Sequence, residues 1–248
     1  MNSKIDTKTL SHRKVKNIIF SCKNHLMTFN MNTMKEIVIP PAIVPGSYDY
    51  RFDGKISLPS NIKSIYRFDK DTVSICIYGG FGSKNNQFNF IKNVFIKLIE
   101  HEKNIQLILV GYIHEDHDEL IDIVKKYPGM YKKIHFIGIN YENHLSIVNQ
   151  TDIVINYATF EKLPTYILEA MYLGKPIVSI TSGFTCCSDV ITNEYNGFLS
   201  DNDDILINNL LKLIRNSDER IRMGNNAKVT FINKYTENNF NEYLKFMK

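Results

Sequence analysis

The sequence has no long apolar run, no cysteine framework and no strong excess of either charge, and each shortage removes a class of protein. No window approaches the roughly 18 consecutive apolar residues that a membrane-crossing helix needs. The first segment, MNSKIDTKTLSHRKVKN, lacks the apolar centre of a secretory signal, so cytoplasmic residence is expected. The four cysteines, Cys22, Cys76, Cys186 and Cys187, form no C-x-x-C pair, and Cys76 lies inside an apolar strand run. A reducing compartment is the simpler setting, with the vicinal pair read as two small loop residues. A net charge of +4 is too mild, and the basic residues too scattered, to indicate a nucleic-acid partner. Lys4, Lys8, Arg13, Lys14 and Lys16 do crowd the first segment. A solvated tail explains them, and peripheral contact with acidic lipid headgroups stays open.

What is present is an ordinary globular composition, 248 residues at 44% hydrophobic, enough for one good core and part of a second domain. From Val73 onward short apolar runs alternate with helical patterns, the rhythm of a parallel sheet covered on both faces. Strands are expected at Val73 to Tyr78, Gln106 to Val110, Lys133 to Ile137, Asp152 to Asn156, Pro176 to Ile180 and Gly197 to Ser200. Phe90, Ile91, Val94, Phe95, Leu98 and Ile99 recur at helical spacing, as do Leu120, Ile121, Ile123 and Val124. Asp201, Asp203 and Asp204 read as cap and first-turn charges of a helix from Ile205 to Ile214. Residues 49 to 72 show no periodicity, which makes them a long loop. His114 to Glu119, HEDHDE, has a His-x-x-His spacing able to bind zinc, but acids at a helix start explain most of it and no metal is expected. His135, in a strand, and His144, on a helix, read as structural.

Residues 161 to 175, EKLPTYILEAMYLGK, are the most informative stretch. Pro164 fits the first turn of a helix, Ile167, Leu168 and Met171 form its apolar stripe, and Gly174-Lys175-Pro176 ends it before Ile177. The helix therefore starts near Leu163, with Glu161 just before it and Glu169 in its second turn. Unpaired N–H groups at the helix start face a phosphate-sized space between the two acids. Spacing alone would also suit a solvated helix face. The flanking residues decide: the stretch resembles the E-x7-E signature, E-x-L-P-x-x-x-L-E-A-M, of retaining GT-B glycosyltransferases, family 4 in particular. Near the other end, Arg220, Met223, Gly224 and Ala227 match that family's R-x-x-M-G-x-x-A phrase.

The resemblance covers roughly residues 36 to 248. It implies an α/β fold, a Rossmann-like doubly wound parallel sheet forming the C-terminal half of a GT-B fold. Residues 1–45 are then an N-terminal stub and linker, and residues 46–248 the nucleotide-sugar-binding domain with its C-terminal helices. It also implies a nucleoside-diphosphate sugar as donor, no further cofactor and no metal. The acceptor is a hydroxyl on a glycan, lipid or small molecule, with an acceptor domain or a partner chain completing the site. Glu169 is assigned to the ribose hydroxyls, Glu161 to the transferred sugar, helix-start amides near Thr165 to phosphate and sugar, and the turn at Ile139 to the base. The glycine turn after the first strand, with Gly80, Gly82 and Lys84, faces the diphosphate in this assignment. A plain tight turn would use the same glycines, and the run is neither a Walker A loop nor a G-x-G-x-x-G fingerprint. The family's arginine is missing from this turn, its slot being Gly80 or Phe81. Two rivals follow: a non-catalytic nucleotide-sugar binding or interaction module, favoured by that missing cation, and, more weakly, a nicotinamide-linked dehydrogenase, whose glycine fingerprint is broken. If Lys84 neutralises the donor diphosphate, Lys84→Ala should weaken nucleoside-diphosphate binding by about 1.5–3 kcal/mol in calorimetry. An unchanged affinity would remove this turn from the phosphate site.

Overall fold

The structure, a computed structural model, describes residues 17–20, 35–38, 71–81, 87–113, 122–123, 125–127, 129–137, 144–158, 160–161, 165–181 and 184–236. Ten strands are described. β1 (Asn17–Phe20) pairs in parallel with β2 (Lys35–Val38). The main sheet contains β3 (Val73–Phe81), β4 (Ile105–Ile113), β5 (Ile134–Ile137), β6 (Ile153–Asn156), β8 (Ile177–Ile180) and β10 (Gly197–Ser200), all parallel, in the order β10-β8-β6-β3-β4-β5. The two-residue strands β7 (Phe160–Glu161) and β9 (Phe184–Thr185) pair separately. The helices are α1 (residues 87–101), α2 (His144–Gln150), α3 (Thr165–Tyr172), α4 (Asp203–Arg215) and α5 (Ser217–Lys234).

All six expected strands of the main sheet are present, and their pattern explains the layers. Side chains alternate across a strand, so Ile75 and Ile77 face one way and Cys76 and Tyr78 the other. The first set joins Phe90, Phe95 and Leu98 of α1 and Leu206, Leu210 and Leu213 of α4 in one core. The second joins Ile147 of α2, Ile167, Leu168 and Met171 of α3, and Ala227 and Phe231 of α5. Helices on both faces leave the strands almost wholly apolar, as parallel sheets require. Polar side chains inside the sheet are paired: Gln106 Nε2 donates to Ser74 Oγ at 2.7 Å, and Asp152 Oδ2 accepts from the Ser74 amide at 2.8 Å. α1 contains a wide turn, Ile91–Phe95, closed in the π manner between two α segments.

The helix ends differ in detail from the sequence expectation. Asn202, not one of the three aspartates, caps α4 by accepting from the Ile205 amide at 2.9 Å. Asp203 and Asp204 occupy the first turn, where the dipole favours them. α3 closes as expected: Gly174 has φ +69°, its amide bonds to the Met171 carbonyl and the Lys175 amide to Ala170.

The phrase at Arg220 to Ala227 is a packing device. Arg220 donates to the Leu213 and Ile214 carbonyls at 2.6 and 3.0 Å, covering the last turn of α4. Met223 and Ala227 are fully buried. Gly224 lies against the turn that ends α3, so closely that a Cβ there would meet the Gly174 carbonyl oxygen at 2.0 Å. An unobstructed Gly→Ala exchange in a helix gains roughly 1 kcal/mol. Gly224→Ala should instead lose about 1–3 kcal/mol through overpacking, read as a lower urea midpoint. The exposed neighbour Asn225→Ala should not. A stabilised Gly224→Ala would refute the close contact.

Candidate functional site

Strands β3, β4 and β5 step one way across the sheet and β6, β8 and β10 the other, so the order reverses between β3 and β6. In doubly wound sheets the connecting helices then depart to opposite faces and open a crevice at the carboxyl ends of the two strands. β3 reaches its end at Tyr78, Gly79, Gly80 and Phe81, and β6 at Asn156. Gly79 has φ +142°, a conformation that glycine adopts without strain. The expected turn at Gly80 is corrected here. Gly80 and Phe81 continue β3, paired with Tyr112 and Ile113, because β4 also runs long and offers them partners. Gly82 and Lys84 lie outside the described residues, as do Ile139 and the histidine–acid cluster from 114 to 119.

Asn156 is fully buried, and the strand alternation puts it on the α3 face together with Val154. Its amide uses both donors and both lone pairs. Nδ2 donates to Ser179 Oγ at 3.2 Å and to Cys187 Sγ at 2.9 Å; Oδ1 accepts from the Ala158 amide at 3.3 Å and from the Tyr166 hydroxyl at 2.9 Å. Tyr166 stacks on Tyr78, with ring centroids 5.3 Å apart and planes inclined by 14°. Burial pushes the Tyr78 hydroxyl far above its ordinary value, and the charges of Cys76 and Glu169 push it further. Cys76 itself is raised to about 12 by burial.

Glu169, on the second turn of α3, is only 6% exposed. It follows Tyr166 by three residues on the same helix, and the Tyr166 ring stacks on Tyr78 at the end of β3. Thr165 opens the helix and is exposed, so the helix is described from two residues beyond the expected start, residues 162–164 lying outside the described set. Glu161 ends β7 and pairs with Thr185 of β9, a two-residue ladder that the sequence did not suggest. Glu161 thus ends β7, and Glu169 lies buried in the second turn of α3.

Around this crevice the other strand ends are tied down by polar pairs. The Tyr157 hydroxyl donates to Asp203 Oδ1 at 2.7 Å, and burial followed by this bond raises its proton affinity. Thr181 Oγ1 donates to Asp201 Oδ1 at 2.5 Å. These ties link the ends of β6, β8 and β10 to the start of α4. Asn156, Tyr157 and Tyr166 were missed by sequence reasoning. One signal was available: an asparagine and a tyrosine following the apolar run Ile153-Val154-Ile155 need partners if buried.

The cysteines depart from a fully reduced set. Cys186 is disulfide-bonded, whereas Cys76 and Cys187 are buried free thiols. Chain spacing does not reveal which cysteines a fold brings together. His135 sits in β5 as expected, its proton affinity lowered by burial, and His144 opens α2. Among the described residues, no group of three His, Cys, Asp or Glu side chains is arranged to hold a metal ion, and no helix is long and apolar enough to cross a membrane.

Comparison with known proteins adds a family. Residues 60–230 match the family model described as glycosyl transferases group 1. No curated protein sequence matches. Among solved structures, Alr3699/HepE from Anabaena in complex with UDP superposes with a TM-score of 0.77 at 17% identity, over 96% of this chain and 65% of that one. A glycosyltransferase from Rickettsia africae gives 0.78 at 16% identity, over 99% and 67%. The C-terminal domain of LpcC, a glycosyl transferase group 1 family protein from Francisella tularensis, gives 0.60 at 21% identity, over 73% and 96%. The chain thus spans about two thirds of the HepE structure and nearly all of the isolated LpcC domain. At these identities the likeness shows the fold alone, a Rossmann-like α/β parallel sheet of the kind found in GT-B structures.

Proposed function

Because the chain belongs to the glycosyl transferases of group 1, we propose that it binds a nucleoside-diphosphate sugar and transfers the sugar, a hexose-like unit, to a hydroxyl with retention of configuration. In that reaction the bond from the anomeric carbon to the phosphate oxygen breaks, a bond to the acceptor oxygen forms, the acceptor hydroxyl's proton passes to the departing phosphate oxygen, and the nucleoside diphosphate leaves. Negative charge grows on the diphosphate. The N–H groups at the start of α3, the Lys84 ammonium and the helix dipole stabilise it without a metal ion.

The observation that carries this reading is Glu169: a carboxylate only 6% exposed, held on a helix whose first turn borders the β3–β6 crevice. A buried acid in that position suits the ribose hydroxyls, which donate charge-assisted hydrogen bonds. Glu161 takes the sugar hydroxyls and the turn at Ile139 the base. HepE, of the same fold, has been crystallised with UDP-glucose, which makes a uridine donor the first to test. Residues 46–248 form the donor domain in this proposal. An acceptor-binding unit, in the same polypeptide or a partner chain, completes the cleft, since closing two domains positions the reactants and excludes water. The acceptor is a glycan, a lipid or a small molecule.

A second reading, a nucleotide-sugar binding module without turnover, is favoured by one observation. Gly80 or Phe81 stands where the resemblance places the family's arginine, and both continue β3 against Tyr112 and Ile113, so neither supplies a cation. Sugar transfer or donor hydrolysis by the protein would exclude this second reading; tight donor binding with neither activity would select it.

Calorimetry with UDP, GDP, ADP and their sugars tests the donor site. Glu169→Gln should weaken the preferred nucleoside diphosphate by about 1.5–3 kcal/mol, roughly ten- to hundredfold in Kd. Glu161→Gln should leave the free diphosphate unchanged and weaken the sugar nucleotide. If neither variant altered either ligand, the assignment of the two acids would fail.

A further inference from the structure

We infer that Asn156 is a positioning residue that sets, from one buried point, the path of the chain toward Glu161 and the seat of the helix that carries Glu169, an inference that rests on the donor-site reading above. Its two Oδ1 bonds lead to the two acids by different routes. One holds the Ala158 amide, three residues before Glu161, and so fixes where the chain leaves β6 on its way to β7. The other holds the Tyr166 hydroxyl. Tyr166 lies one turn before Glu169 on α3, and residues three apart share a helix face. The Tyr166 ring also lies flat on Tyr78, whose hydroxyl feels the Glu169 charge. Through this contact the first turn of α3 is seated on the end of β3, directly at the sheet reversal.

The two Nδ2 bonds, to Ser179 on β8 and to Cys187 in the turn Cys187–Asp189, anchor the amide to neighbouring structure. A flipped amide would set its NH2 group against the Ala158 N–H, donor against donor. The orientation is therefore fixed, and both Oδ1 bonds share one origin. A shorter apolar side chain would fill the same strand position but would release the Ala158 amide and the Tyr166 hydroxyl together. The ordinary alternative is a buried asparagine that only satisfies the core. The two roles separate by ligand affinity in folded protein.

The experiment measures Kd for whichever of UDP, GDP and ADP the wild type binds most tightly and for its glucose sugar, together with Tm, well below the melting range. Tyr166→Phe keeps the ring stack and removes one hydroxyl. It should weaken the diphosphate about fivefold or more while preserving the ratio of diphosphate to sugar-nucleotide Kd. Asn156→Ala should weaken the diphosphate and also lower that ratio, because Glu161 is released as well. Asn209→Ala is the control: it breaks a buried bond to Ser200 on the α4 face and should lower Tm without moving either Kd. If wild type binds ligand and both site variants, folded, bind as wild type does, the positioning role is overturned and the donor site stands. If wild type binds none of the six ligands, the donor-site reading falls and this inference with it. Should Asn156→Ala fail to fold, Tyr166→Phe alone decides, since unchanged binding in that variant is sufficient to overturn the inference.

Discussion

A parallel sheet covered by helices on both faces leaves few places for chemistry. Interior strand positions must be apolar or internally paired, and the described side chains of the main sheet obey this closely. Ser74, Gln106 and Asp152 satisfy one another near the amino ends of their strands, and Ser179 is joined to Asn156 near the carboxyl ends. Polar side chains with outward roles are confined to where strands stop. Among those stops, the reversal between β3 and β6 is where helices diverge and a ligand can enter. The position of Glu169, Tyr78 and Asn156 follows from that single topological constraint.

Much of the scaffold was legible because its signals are local. The run Ile177-Val178-Ser179-Ile180 between a Gly-Lys-Pro stop and a loop is a strand on any reading, and Ile167, Leu168 and Met171 mark a helix by spacing alone. What remained illegible depended on partners distant in sequence. Gly79 and Gly80 look like a turn until β4 is seen to extend through Tyr112 and Ile113 and draw them into the sheet. Asn202 outcompetes adjacent aspartates as a cap because its carbonyl oxygen meets the Ile205 amide, a choice composition does not reveal. The two-residue pairing of Phe160–Glu161 with Phe184–Thr185 is too short for any periodicity to announce. The sequence offered a candidate site as a pair of acids around a helix start, and the structure places Glu169 of that pair in the buried second turn of α3. The buried support of that helix was not legible, since Asn156 and Tyr166 acquire meaning only from each other.

The family match and the low identities to solved structures fit together once the matching residues are given physical roles. Arg220, Met223, Gly224 and Ala227 touch α4, the core and the end of α3, and none of them is part of the crevice. Such positions let three helices meet, a packing role independent of whatever ligand the crevice accepts. Tyr166 and Asn156 have a different role: a hydroxyl and an amide that bond to each other at the ends of β3 and β6.

The wide turn in α1 has a consequence for comparing this chain with others. A π turn closes on the residue five back and so holds one residue more than the α turn it replaces. Phe88 and Phe90 before it, Ile91, Val94 and Phe95 within it, and Ile96 and Leu98 after it are all buried, a broader apolar face than an unbroken helix presents. Removing one residue there would restore regular winding without rotating either flank, so a relative one residue shorter can keep the same core. An alignment that treats 87–101 as a uniform helix would then be out of step by one position on one side of Ile91–Phe95, and would assign the wrong counterparts to every residue up to the next gap.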